Sequence, residues 1–350
     1  MKTRVQELIE AYPFTSEKKF TPKDYHSGED VRWCPGCGDY SILAQTQRIL
    51  SELGIPPHQI VFVSGIGCSS RFPYYMGTYG FHSIHGRAPA IASGLKLARP
   101  DLSVWVITGD GDGLSIGGNH YIHVLRRNID LNILLFNNQI YALTKGQYSP
   151  TTERGKITKS SPDGVIDYPF NPIALALGAG GTFVARSIDR DQQHLQLMMK
   201  RAAQHKGTSL IEIYQNCVVF NDGVFSLFTE KETKDDSTIF LEHGKPLLFG
   251  KNMEKGIRLD GLTPEVVSLK DGKYSVSDIT VYNDQDASLA FIIASMSNNS
   301  ALPRPFGVFL DVARPTYEEE LISHIAEAQK KSGAIDFQSL LNSGDTWTIE

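Results

Sequence analysis

Val104-Trp105-Val106-Ile107-Thr108-Gly109-Asp110-Gly111-Asp112-Gly113 joins an apolar run to a turn built of glycine and aspartate. The first four residues are apolar without interruption, as expected of a parallel strand covered on both faces. In the second half the glycines let the backbone approach a ligand closely, and the helix that follows presents an N-terminus favouring an anion. Outward from this stretch, Ile60-Val61-Phe62-Val63, Leu131 to Phe136 and Leu210 to Tyr214 have the same character, while 88–99, 115–127 and 189–205 read as helices. The alternation predicts an α/β fold with a doubly wound, mostly parallel sheet and ligands outside the carboxyl ends of its strands.

The chain has 350 residues, enough for two domains or one large α/β domain with appendages. Its texture divides into a polar N-terminal arm (1–30), an α/β domain (31–230) and a C-terminal extension (231–350) that opens on the charged stretch Lys231 to Asp236. Hairpin-like pieces such as Leu269 to Tyr274 are expected in the extension. A capping box of Thr316 with Glu319 starts an amphipathic helix running from Tyr317 to Lys330. A net charge of −5 argues against a nucleic-acid protein and against a polybasic membrane-surface protein. No run approaches the roughly 18 apolar residues of a membrane span, and the first residues hold no apolar signal segment. Four cysteines are too few for a disulfide scaffold, so a cytoplasmic protein is expected.

Asn137-Asn138 closes the strand after the Gly-Asp-Gly turn, 28 positions beyond Asp110. One helix and one strand bring the chain back to the same sheet edge, so both side-chain oxygens can face one ion. Magnesium takes an octahedron of hard oxygens and keeps phosphate oxygens among them. The Asp110 carboxylate, the Asn138 amide oxygen and the Ile140 carbonyl would supply the protein's share. A plain acidic turn is the competing reading; a calcium loop is not, since Leu114 stands where an oxygen ligand is needed. His120 and His123 lack a third partner at zinc-like spacing and read as packed helix residues. Gly65-Ile66-Gly67 ends in Ser70 where a dinucleotide fingerprint needs its third glycine, which disfavours a nicotinamide cofactor.

Cys34-Pro35-Gly36-Cys37 is open to three readings: a dithiol redox motif, half of a zinc site, or part of an iron–sulfur site. Cys68 and Cys217 each follow an expected strand, so the four thiols can converge beside the diphosphate turn. Four thiolates satisfy one [4Fe–4S] cluster with none left over.

Gly109-Asp110-Gly111 with Asn137-Asn138 resembles the thiamine-diphosphate motif. The longer run Gly109 to His120, with Arg126-Arg127-Asn128 and Tyr141 to Thr152, resembles the β subunits of the 2-oxoacid:ferredoxin oxidoreductases, densely over 30–225 and loosely beyond. The resemblance implies the thiamine-diphosphate-binding fold, with Ile66, Gly67, Cys68, Ser69, His85, Gly109, Gly111, Asp112, Ala142 and Leu143 around that cofactor. It also implies a [4Fe–4S] cluster on Cys34, Cys37, Cys68 and Cys217. His85 reads equally as a loop hydrogen-bonder. The implied activity is oxidative decarboxylation of a 2-oxo acid to an acyl-CoA, with coenzyme A as co-substrate and ferredoxin as electron acceptor or donor. No glutamate of this chain can be assigned to activating the cofactor, which implies an α subunit that supplies it and an α2β2 assembly. Arg71 and Lys145 flank the cofactor segments as candidate cations for a distal carboxylate, and Thr144-Lys145-Gly146-Gln147 resembles the 2-oxoglutarate or broad-specificity members. The reading is therefore the β subunit of a 2-oxoglutarate:ferredoxin oxidoreductase (2-oxoglutarate synthase), with a pyruvate or broad-specificity enzyme as its variant. Two other classes stay open: a non-redox thiamine-diphosphate enzyme with structural cysteines, and a non-enzymatic electron-transfer subunit.

Overall fold

The computed structural model describes residues 19–332 and 336–349, so residues 1–18 of the expected arm lie outside the described residues. Six strands run parallel: β1 (Ile60–Ser64), β2 (Tyr79–His82), β3 (Ser103–Gly109), β4 (Leu131–Asn137), β5 (Phe183–Ile188) and β6 (Thr208–Tyr214). The extension adds β7 (Thr238–Leu241), a small antiparallel sheet of β8 (Leu248–Phe249), β9 (Lys255–Asp260) and β10 (Thr263–Ser268), and then β11 (Arg304–Asp311). The large sheet has the order β2-β1-β3-β4-β6-β5-β11-β7, in which β11 lies antiparallel to β5 and parallel to β7. Beyond residue 231, then, the chain returns two strands to the same sheet.

Alternation within each strand splits the core between the two faces. Val61, Val63, Val104, Val106, Ile133 and Leu135 face one side. There they meet helices α2 (Ala88–Ala98), α4 (Gly118–Arg127), α5 (Pro172–Gly178) and α7 (Ala287–Ser295), once α1 (Asp39–Leu53) and α3 (Asp110–Leu114) are counted in chain order. Ile60, Phe62, Trp105, Ile107, Leu134 and Phe136 face the other side, against α1 and α6 (Gln192–Gln204). Strands apolar on both faces are what a doubly wound sheet requires.

Three local differences from the sequence reading have clear causes. The helix expected over 115–127 begins only at Gly118, after the separate short α3 that ends at Leu114: Ser115 leaves the helical region with ψ −105°, and the Asp112 carbonyl and Gly86 crowd Gly117 so closely that no Cβ would fit there. The hairpin of the extension lies at β9–β10, turning at Gly261 with φ 60°, rather than at Leu269 to Tyr274; both places carry Asp-Gly, but only the first is flanked by paired strand runs. The apolar stretch 287–295 is a helix, capped by Asp286 accepting from the backbone N–H groups of Ser288 and Leu289. Helix α8 (Tyr317–Ser332) begins at the expected box: Thr316 Oγ1 accepts from Glu319 N, and Thr316 N donates to the Glu319 carboxylate.

Candidate functional site

At the carboxyl ends of β1, β3 and β4 a cavity of about 710 Å³ opens. Its wall brings together residues far apart in the chain: Ile66 to Ser69 after β1, His85 after β2, Gly109 to Asp112 after β3, and Asn138 and Ile140 to Leu143 after β4. The volume is that of a cofactor-sized cleft. Every expected cofactor or magnesium residue lines it.

The two aspartates of the turn do different work. Asp112 lies at the centre of the loops: its Oδ1 accepts from the N–H of Ile66 (3.0 Å) and of Gly86 (2.7 Å) and meets His85 Nδ1 at 2.7 Å, while its Oδ2 accepts from Thr108 Oγ1 at 2.6 Å. A Cβ on Gly65 would run into this carboxylate, which is why the loop after β1 needs glycine there. Asp110 is held differently. Two hydroxyls, Ser149 Oγ at 2.5 Å and Thr151 Oγ1 at 2.6 Å, cap its Oδ2. Burial raises the Asp110 carboxyl to about 6, against the lowering pull of those two hydroxyls. A buried carboxylate in that state gains from a cation, and a hard oxygen set beside it is the chemistry magnesium selects.

Asn138 presents its oxygen with the same care. Its Nδ2 donates to Gln215 Oε1 (2.9 Å), and its Oδ1 accepts from Ile140 N (3.1 Å). Beneath, Asn137 Nδ2 donates to Glu212 Oε1, and Glu212 pairs with Arg186 at 2.7 Å, both side chains being 1% exposed.

Three loops bring the cysteines toward one another. Trp33 Nε1 donates to the Cys68 carbonyl at 2.7 Å, tying the CxxC loop to the loop after β1. Gly38 N donates to the Asn216 carbonyl, tying it to the loop after β6 that holds Cys217. Burial pushes the Cys37 thiol far up, with Asp39, Cys217 and Cys68 adding to it, and pushes Cys68 up to about 12, with Asp39, Cys217 and Cys34 adding. Each of the four thiols thus lies within electrostatic reach of others. Asp39, behind Cys37, is itself raised to about 7 by burial. Among the described residues no three His, Cys, Asp or Glu side chains are gathered for a single metal ion. A cubane instead spreads its four thiolates over four irons, and four soft sulfurs from three tied loops suit it.

Arg71 and Lys145 stand apart from the cavity wall. Arg71 Nη1 donates to the Arg32 carbonyl (2.9 Å), and Lys145 is exposed in the turn between Tyr141 and Gln147, with φ 78°. Sequence reasoning gave no site role to Tyr141, Ser149 and Thr151, although they lie in the resembling run, and missed Gln215. Tyr141 donates its hydroxyl to the Gly111 carbonyl (2.8 Å), and a Cβ on Gly111 would collide with its ring. The hydroxyl-rich run Ser149 to Thr152 was the one available signal for the cap on Asp110.

A parallel sheet with a Gly-Asp-Gly turn and an Asn-Asn strand end at one cavity defines a thiamine-diphosphate-binding subunit of an enzyme. The family model "Thiamine pyrophosphate enzyme, C-terminal TPP binding domain" matches residues 65–213. The chain is 52% identical over 340 residues to the 2-oxoglutarate oxidoreductase subunit KorB of Mycobacterium tuberculosis, covering 96% of this chain and 90% of that one. It is 48% identical over 203 residues to the β subunit of 2-oxoacid:ferredoxin oxidoreductase 1 of Aeropyrum pernix, covering 58% of this chain and 63% of the other. A solved structure of 2-oxoglutarate:ferredoxin oxidoreductase from Magnetococcus marinus, with 2-oxoglutarate, coenzyme A and succinyl-CoA bound, superposes with a TM-score of 0.74 at 30% identity, over 95% of this chain and 99% of that one. The chain belongs to the family of 2-oxoacid:ferredoxin oxidoreductase β subunits. No helix among the described residues is long and apolar enough to cross a membrane.

Proposed function

We propose that this chain is the cofactor-binding half of a cytoplasmic 2-oxoglutarate:ferredoxin oxidoreductase, converting 2-oxoglutarate and coenzyme A to succinyl-CoA with an α subunit in an α2β2 assembly. One observation carries the reading: Asp110, Asn138, Ile140 and Cys68 line a single cavity. Asp110, Asn138 and the Ile140 carbonyl hold magnesium, and the loops stapled by Asp112, from Ile66 to Ser69 and at His85 and Gly86, hold thiamine diphosphate beside it. Bound there, that cofactor supplies the stabilised carbanion which lets a 2-oxo acid lose carbon dioxide. The chain's own part is to fix the diphosphate end, to keep the Asp110 oxygens in place through Ser149 and Thr151, and to bring Cys34, Cys37, Cys68 and Cys217 alongside as ligands of a [4Fe–4S] cluster that passes electrons to ferredoxin. Lys145, exposed at the turn beside Leu143, and Arg71 are the cations offered to the distal carboxylate of the substrate.

Residues 31–230 carry both sites, and 231–350, besides returning β7 and β11 to the sheet, serve subunit contacts. Tyr317, Leu321 and Ile325, four residues apart on α8, lie exposed and form an apolar stripe suited to a partner. The relatives named above support the substrate and the partner subunit.

The test is anaerobic purification of the chain with its α subunit, followed by iron counting, low-temperature electron paramagnetic resonance after dithionite reduction, and assay of viologen reduction. About four irons per chain, a reduced-cluster signal and coenzyme A-dependent activity on 2-oxoglutarate above that on pyruvate are expected. Faster turnover of pyruvate overturns the substrate. Iron-free protein with intact thiamine-diphosphate binding overturns the electron path in favour of a non-redox enzyme.

A further inference from the structure

The cavity and the cysteines are joined by one side chain that neither role accounts for. Gln215 follows β6 and is 2% exposed. Its Oε1 accepts from Asn138 Nδ2 at 2.9 Å. Its Nε2 donates to Cys37 Sγ at 3.2 Å and to the Asn216 carbonyl at 2.6 Å. Its backbone N–H is spent on the Asn137 carbonyl, so the residue cannot shift without breaking the register of the β4 and β6 ends. Both N–H donors of the amide are thus used and its oxygen accepts once, between a magnesium ligand and an iron ligand. A second tie runs beside it: Asn221, paired with Cys217, donates Nδ2 to the Asn138 carbonyl at 2.9 Å.

We infer that Gln215 is a positioning residue that couples the two sites: it fixes the Asn138 amide so that its oxygen, which takes the Ile140 N–H, keeps a second lone pair for the metal, and it tunes the reduction potential of the cluster through the Cys37 sulfur. This inference rests on the proposed placing of magnesium at Asn138 and of the cluster at the cysteines. The physical basis is in two parts. An N–H donated to a thiolate sulfur stabilises the more negative, reduced cluster and raises its potential. Hydrogen bonds in a chain polarise one another, so a cation on Asn138 Oδ1 strengthens its Nδ2–H as a donor to Gln215, and Gln215 in turn as a donor to Cys37. The cluster potential thus rises when magnesium thiamine diphosphate binds.

Gln215→Met keeps the length of the side chain but offers no donor or acceptor of comparable strength; Gln215→Ala tests the same loss without risk of overpacking. Both are to be made in the assembled enzyme. The readouts are iron content, a redox titration followed by electron paramagnetic resonance with and without magnesium thiamine diphosphate, and calorimetric affinity for that cofactor. The expected result is full iron, a potential below that of the parent, loss of its cofactor-dependent rise, and affinity weakened about tenfold, the lower end of what an outer-shell partner of a metal is worth. A potential and a cofactor response equal to the parent's in iron-replete variants overturn the contact to sulfur, and unchanged affinity overturns the fixing of Asn138. A parent enzyme without iron or without cofactor binding instead overturns the site assignments on which the inference stands.

Discussion

The diphosphate cradle and the cysteine loops share one edge of the sheet, yet they are prepared for their ligands in opposite ways. In the cradle the acceptors are already answered: Asp112 takes four donors, and Asp110 is capped by two hydroxyls. The cysteines are answered by very little. Cys34 is exposed, Cys37 accepts from Gln215 Nε2 with Asp39 behind it, and burial raises the Cys37 and Cys68 thiols. A hard cation and a phosphate can therefore enter the cradle with little rearrangement of its hydrogen bonds. Under the proposed assignment iron would displace protons from the thiols, so its binding would release protons and be favoured by higher pH. On that assignment, preorganisation of the one site and metal-dependent completion of the other would follow from oxygen against sulfur chemistry.

The comparison breaks most sharply at Asp110. Asp110→Ala is expected to weaken magnesium thiamine diphosphate binding by more than about 100-fold, since even outer-shell partners of a metal cost 10–100-fold. Iron content should be unchanged; calorimetry and iron analysis check both, and loss of iron as well would show that the two sites assemble as one. Cys217→Ser is the reciprocal variant. Its iron should fall far below the roughly four per chain of a cubane, with cofactor affinity close to the parent's.

Below the cradle, Glu212→Ala leaves Arg186 buried without its carboxylate and should cost about 3–5 kcal/mol of stability in denaturant unfolding, whereas replacing both partners with apolar residues should recover most of it. On the cysteine side, His194 on α6 is lowered by burial from 6.5 to about 4. The unfolded chain then binds a proton between those values that the folded chain does not, so stability is full above about pH 6.5 and falls by on the order of 3 kcal/mol as the pH drops toward 4. His194→Gln should flatten that slope in melting curves taken across the same range; an unaltered slope would assign it elsewhere. The smallest effect is on substrate choice. Lys145→Ala should raise KM for 2-oxoglutarate about tenfold, the worth of one charge-assisted hydrogen bond, and leave pyruvate nearly untouched. Equal changes on both substrates would remove Lys145 from carboxylate recognition.

Strands β1, β3, β4 and β6 were legible because their apolar runs are buried on both faces, and each extends only one to three residues past its expected ends; β2, exposed throughout, and β5, interrupted by Arg186 and Ser187, were not. The break between α3 and α4 was not legible, since it depends on the close approach of Gly86 and Asp112 to Gly117. The helix over 287–295 was missed for a related reason: it lies in a segment whose turns read as hairpins, and its cap is a single aspartate. In the site, residues with rare chemistry stood out, namely cysteines, the Gly-Asp-Gly turn and the paired asparagines. Ser149, Thr151 and Gln215 did not, because hydroxyls and amides are common and acquire meaning only from what they touch.

The sequence alone determined the doubly wound class, the residue types offered to a diphosphate and its metal, and the set of four thiols, because these rest on local periodicity and on ligand chemistry. Only the tertiary structure decided that Asp112 holds loops together, that Asp110 is capped by hydroxyls 39 and 41 positions away, and that one glutamine meets a cysteine 178 positions distant. Those contacts are made where the ends of non-adjacent strands converge, and strand order, which no local pattern encodes, sets which ends meet.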